Sequence, residues 1–188
     1  MHRPVIRNLA LAALLVANSA APAEDTGARL YELPNLDIFE MKLPPGWNDT
    51  VDQPPDGGPP TIQLHPTEGA PFEIYVTPAW PEGPEETAPE VEALREQVRD
   101  AAERVRDQVD EQPLEIRRLQ AASGVGFYFV ATGRAPQPED YRYMNQGALQ
   151  VGELTVMFTI LTNQDQEAVV EEALAMLTGA MHRRTGLD

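Results

Sequence analysis

The sequence predicts an α+β fold, a three-layer α/β/α sandwich around a twisted, mostly antiparallel sheet of about six to seven strands. Three observations predict it. Residues 125–131 and 154–161 alternate with the period of a strand, yet both phases are largely apolar (Phe127, Phe129 and Ala131 against Tyr128 and Val130; Val156, Phe158 and Ile160 against Met157 and Leu161). Strands of that kind lie mid-sheet with apolar material on both faces. Two helical patterns are available as covering layers, one in the middle of the chain and one near its end. Most strand-to-strand connections are short, which favours antiparallel pairing. Placing both helices on one face is the alternative, and it would expose Tyr128, Val130, Met157 and Leu161.

The chain opens with the marks of a secretory signal. Arg3 and Arg7 precede an apolar run, 9–17, and Ala21-Pro22-Ala23 offers a cleavage site of small residues. The run is too short for a bilayer span, which needs roughly 20 residues. No cysteine follows it, so lipid attachment of the bacterial lipoprotein kind is excluded. The expectation is export to the periplasm or beyond, with cleavage near Ala23 and no membrane span afterwards. The rest divides into a polar leader (24–34), a single domain (35–184) and a tail (185–188). Of 188 residues, 30 are acidic and 14 basic; losing Arg3 and Arg7 leaves 12 basic residues and a net charge near −18. That balance argues against nucleic acid and anionic lipid, which bind basic patches. A domain of this size needs no disulfide to stand up, and there is no cysteine to make one.

Residues 38–43 place Phe39, Met41 and Leu43 on one face of a strand that Pro44-Pro45 stops, with Trp47 just beyond. Tyr31 and Leu33 of the leader can pair onto an edge. Residues 48–60, NDTVDQPPDGGPP, read as a loop. Residues 61–65 and 72–77 form a hairpin with Ile62, Leu64, Phe72, Ile74 and Val76 inward. A second Pro/Glu-rich loop carrying Trp80 leads to a helix capped by Thr87, with Glu90 completing a capping box. Its apolar seam is Val91, Leu94, Val98, Ala101, Val105 and Val109, and Pro113 ends it. Glu92–Arg95, Glu96–Arg99 and Asp100–Arg104 are spaced to pair on its exposed side. Strands at 114–120, 125–131, 141–151 and 154–161 follow. The last helix runs from an Asn163 cap to Met181, its broader apolar face predicting the deeper burial, with His182, Arg183 and Arg184 complementing its C-terminal dipole.

The stretch IFEMKLPPGW before a hairpin, then an acidic helix, GVGFYFV, a tyrosine-bearing strand and GELTVMFTI feeding a C-terminal helix, resembles the PsbP-like, DcrB-like superfamily of exported α/β/α domains. The resemblance spans roughly 35–181. It implies a non-catalytic accessory or binding domain and carries no active-site residue onto this chain. The Pro-rich loops at 53–60 and 78–89 have no counterpart in that pattern.

The chemical inventory is short. Beyond the signal, Ser123 is the only serine, and His65 and His182 the only histidines. Ser123 lies in AASGVG, without the G-x-S-x-G elbow of a hydrolase nucleophile. Two histidines so placed give no zinc spacing, and no phosphate-cradling glycine loop occurs. No catalytic residue, metal ligand or cofactor is expected. Trp47 and Trp80, each beside a Pro-rich loop, are the candidate contacts for a protein partner in the cell envelope. Packing onto the body of the domain is the alternative for both. A cation site on the acid-rich segment 82–92, and a carboxylate-dependent hydrolase, are the competing functions.

Overall fold

A computed structural model describes residues 27–34, 37–81, 89–134, 137 and 140–184. The fold is mixed α+β, with ten strands, β1 (Ala28–Glu32), β2 (Ile38–Lys42), β3 (Trp47–Asp52), β4 (Thr61–Pro66), β5 (Glu73–Ala79), β6 (Arg117–Gln120), β7 (Val125–Thr132), β8 (Tyr143–Val151), β9 (Leu154–Thr162) and β10 (Met181–Arg183). Two helices, α1 (Val91–Val105) and α2 (Glu167–Thr178), interrupt them. Seven strands form one antiparallel sheet in the order β3-β4-β5-β9-β8-β7-β6, and β1-β2-β10 form a second, smaller one.

The strand that is apolar in both phases, β9, sits at the centre of the large sheet between β5 and β8. Val156, Phe158 and Ile160 are buried, with Leu149, Val76 and Ile74 beside them on the neighbouring strands. The buried side chains fall into two clusters. One joins β2, β4, β5, β9 and α2 through Phe39, Met41, Leu64, Ile74, Phe158 and Leu177. The other joins α1 to β7 and β8 through Leu94, Val98, Phe127, Phe129 and Ala148. Alternation on β8 separates them, since Leu149 and Val151 enter the first and Ala148 the second. The three-stranded sheet thus contributes Phe39 and Met41 to the same cluster as α2.

Several elements differ from the expectation. Residues 48–52, read as the start of a loop at 48–60 by composition, belong to the edge strand β3, paired along its length with β4. Asp49 is tied across to β1, accepting from Tyr31 Oη at 3.1 Å and Arg29 Nε at 3.4 Å. Gly46, at φ 81°, makes the turn that launches β3, with Trp47 N–H donating to Pro44 O. The leader holds β1, and its Tyr31 and Leu33 are buried.

Helix α1 stops at Val105, short of Pro113, and a 3-10 turn at Arg106–Gln108 lets Val109 bridge Gly133 in extended form. Thr87 lies outside the described residues; the residue preceding α1 is Glu90, without a side-chain capping bond. Val91 is 47% exposed, so the seam that packs is Leu94, Val98 and Ala102. Asn163 does not cap α2, which starts behind Gln166. Gln166 Oε1 instead accepts Asn163 N–H at 2.6 Å, and its Nε2 donates to Ala70 O and Pro71 O, fastening the β4–β5 turn. Each helix buries three side chains, so α2 is not the deeper of the two by that measure. Gly179 ends α2, and Met181–Arg183 leaves as β10 against β2; His182, Arg183 and Arg184 are therefore not a helix terminus.

Candidate functional site

Helix α1 lies on β7 and β8, and beside it, among the described residues, the same face of β9 and β5 carries a recess. Strand alternation sends the apolar residues of β5 and β9 to the other face, so this one carries Tyr75, Thr77, Met157 and Thr159. A cavity of about 150 Å³ forms there, floored by those residues with Gln146 and Ala148 of β8. Gln97, Val98, Ala101 and Arg104 of α1 form its wall.

The floor is pre-tied by hydrogen bonds. Gln146 Nε2 donates to Thr159 Oγ1 at 3.3 Å, and Thr77 Oγ1 shares a 3.1 Å bond with Thr61 Oγ1. Tyr75 Oη donates to Glu73 Oε2 at 2.5 Å, which, with burial and the Glu73 charge, pushes the phenol up to about 12. Burial and then the same carboxylate also raise Tyr141. Met157 is 38% exposed, an uncovered apolar side chain among these polar groups.

Arg104 is the residue that sequence reasoning misplaced. It was expected to pair with Asp100, as Glu92–Arg95 and Glu96–Arg99 do pair. Instead it contributes to the cavity lining while remaining exposed, and among the described residues no carboxylate pairs with it. Nine other arginines are paired, at positions 29, 95, 99, 106, 117, 134, 142, 183 and 184. The available signal was that 97, 101 and 104, spaced by four and three, form one flank of the helix, each just before a packed position at 98, 102 and 105.

The residues singled out in the sequence do not converge. Ser123 is exposed in the β6–β7 turn, and half-buried His65 lies on β4. Five strand spacings separate β4 from β6 in the sheet, roughly 24 Å at ~4.8 Å each. His182 is in the other sheet, its side chain 4% exposed, with Nε2 2.9 Å from Asp37 Oδ2 and Nδ1 accepting Glu153 N–H. Trp47 is buried against Phe72, ring centroids 4.7 Å apart, so it packs the sheet end and presents no contact surface. Half-buried Trp80 follows the opposite end of β5 and leans on the core around α2. The two tryptophans therefore do not form one surface. In the acid-rich segment, 82–88 lie outside the described residues, and no metal-holding group of His, Asp and Glu occurs among the described residues. No described helix is long and apolar enough to cross a membrane.

A second recess of about 470 Å³ lies between the Leu43–Pro45 corner and α2, where Lys42 and Glu172 offset each other's charge. It is larger, but among the described residues no side-chain hydrogen bonds tie its lining together as they do in the cavity beside α1, and its one cation, Lys42, shares the lining with a carboxylate, Glu172; the cavity beside α1 is the better candidate. Fold and site together define a mixed α+β domain with a recess of mixed polar and apolar lining on one sheet face. No protein-family model matches the chain, and no curated protein matches it.

Proposed function

We propose that this chain is an exported, non-catalytic accessory domain that binds a protein partner of the cell envelope over the sheet face beside α1. The observation that carries the reading is the recess itself, a floor held by hydrogen bonds with Met157 presented at 38% exposure. Methionine and arginine are both enriched in protein–protein interfaces relative to the rest of the surface, and the recess holds one of each, Met157 and Arg104. The separation of Ser123 from His65, and a lining without serine, histidine or carboxylate, support binding over catalysis. The signal-like N-terminus supports export. The resemblance to PsbP-like, DcrB-like domains supports an accessory role, as does a three-layer reading in which α1 is one outer layer and α2 with the small sheet is the other. Trp80 is a secondary contact outside the recess.

The test is a crosslinking pulldown from an envelope fraction with wild type, Met157→Asp and Trp80→Ala as baits, folding being checked by circular dichroism. A specific partner is expected on wild type, lost with Met157→Asp and weakened with Trp80→Ala. Retention of that partner by folded Met157→Asp, or no partner on wild type, defeats the reading.

A further inference from the structure

The recess has a charge character unlike the rest of the molecule. The chain holds 30 acidic residues against 14 basic ones, yet the lining holds Arg104 and no Asp or Glu. Hydrogen-bond accounting sharpens the contrast. The nearby Glu73 carboxylate already accepts the Tyr75 O–H. Thr159 Oγ1 accepts from Gln146, which leaves the threonine hydroxyl hydrogen and the second Gln146 N–H free to donate. The five guanidinium N–H groups of Arg104 have no protein acceptor among the described residues, and Gln97 adds an amide. Val98, Ala101 and Met157 supply an apolar side. The recess thus offers a surplus of donors and one cation beside a small greasy wall.

We infer that the recess binds a terminal carboxylate carried on a small apolar group, the carboxylate on Arg104 and the apolar part against Val98, Ala101 and Met157. This rests on the recess being the binding surface proposed above. An arginine–carboxylate pair is charge-assisted, commonly two-pronged, and stronger than a neutral hydrogen bond. The overall negative charge does not forbid it, because at physiological salt exposed charges beyond about 8 Å are largely screened. The volume of about 150 Å³ is many times the ~10–15 Å³ that one water needs, so the recess has room for a carboxylate and a small apolar side chain. The proposed partner-binding surface selects between the two sources of this chemistry: the occupant is the C-terminus of a protein ending in an apolar residue, and a free short-chain acid is the outcome that would displace it.

The test is an NMR titration of the full chain with sodium isovalerate, isovaleramide, and a tetrapeptide ending in valine as free acid or amide. Isovalerate and the acid peptide are expected to move the amides of Gln146, Gly147, Met157 and Thr159, and the neutral amides are not. Arg104→Gln weakens acid binding about tenfold or more, and Arg118→Gln, an unpaired arginine on β6, leaves it unchanged. Tighter binding of the peptide acid assigns a protein C-terminus, and tighter isovalerate a free metabolite. Equal binding of acid and amide, undiminished binding to Arg104→Gln, or no shift at these amides overturns the inference. Partner capture that survives Arg104→Gln but not Met157→Asp would sink the carboxylate and leave the surface standing.

Discussion

Glu111 shows how single side chains hold an irregular segment in place. Past α1 the chain leaves the helix through a 3-10 turn, and Glu111 reaches the end of β7, accepting Thr132 N–H at 2.8 Å and Thr132 Oγ1–H at 2.6 Å. Arg134 returns the contact, donating to Val109 O at 2.6 Å and Asp107 O at 3.2 Å. Burial by itself would raise the Glu111 carboxyl; the two Thr132 bonds, helped by the Arg142 charge, outweigh it and hold the group below its ordinary 4.5. A depressed folded value means that the charged form is the one favoured by folding. Its contribution is full above about pH 4.5 and is lost as the pH falls through the folded value. The site is largely open to solvent, so the effect is small, on the order of 0.5 kcal/mol. Thr132→Val should therefore lower the urea midpoint at pH 7 by a small, measurable step that shrinks toward pH 2.5. A gap of the same size at both pH values would show that Glu111 is not the linked group.

At the scale of elements, burial separates positions that periodicity treats alike. Leu94 and Val91 belong to one predicted seam of α1, but Leu94 is 1% exposed against Phe127 and Phe129, and Val91 is 47% exposed. Leu94→Ala should cost about 2–5 kcal/mol, as deletions in a packed core do. Val91→Ala should stay within roughly 0.5 kcal/mol. Equal shifts in the urea midpoint would mean that α1 meets the sheet by another face. What was legible in the sequence follows the same logic. The strands β5, β7, β8 and β9 announce themselves because each is long enough to show alternation and carries several buried side chains. The strands β3 and β10 do not. In β3 only Trp47 is buried, and it pairs because β4 supplies a partner, not because Asn48 and Asp49 favour extension. The three residues of β10 continue the apolar rhythm of α2 through Ala180 and Met181, so only Gly179 marked the break. Arg104 was hidden for a related reason, since spacing named a partner for it and only the fold shows that it contributes to the recess.

At the scale of the whole molecule, the second sheet joins the two ends of the described chain. Strands β1 and β10 flank β2, and Phe39 and Met41 sink into the core beneath α2. His182 locks this arrangement across 145 residues of sequence, bonded to Asp37 ahead of β2. Because Nδ1 accepts Glu153 N–H from the β8–β9 turn, the proton of the neutral ring sits on Nε2 and is donated to Asp37. One buried imidazole therefore touches both sheets, and Gly152, at φ 61°, packs on its ring where a Cβ would collide at 2.9 Å. Removing the ring leaves Glu153 N–H without its acceptor and Asp37 without one of its partners, a loss of about 1–3 kcal/mol for buried groups. The large sheet keeps its own ladders, so the loss should be local first. His182→Ala should speed amide hydrogen exchange across β2 and β10 well before it changes exchange in β8 and β9. His65→Ala, at a half-buried position on β4, is the control and should leave both sets unaltered. If His182→Ala loosened β8 and β9 to the same degree as β2 and β10, the two sheets would open as one cooperative unit, and the imidazole would be a core residue like any other instead of the clasp between them.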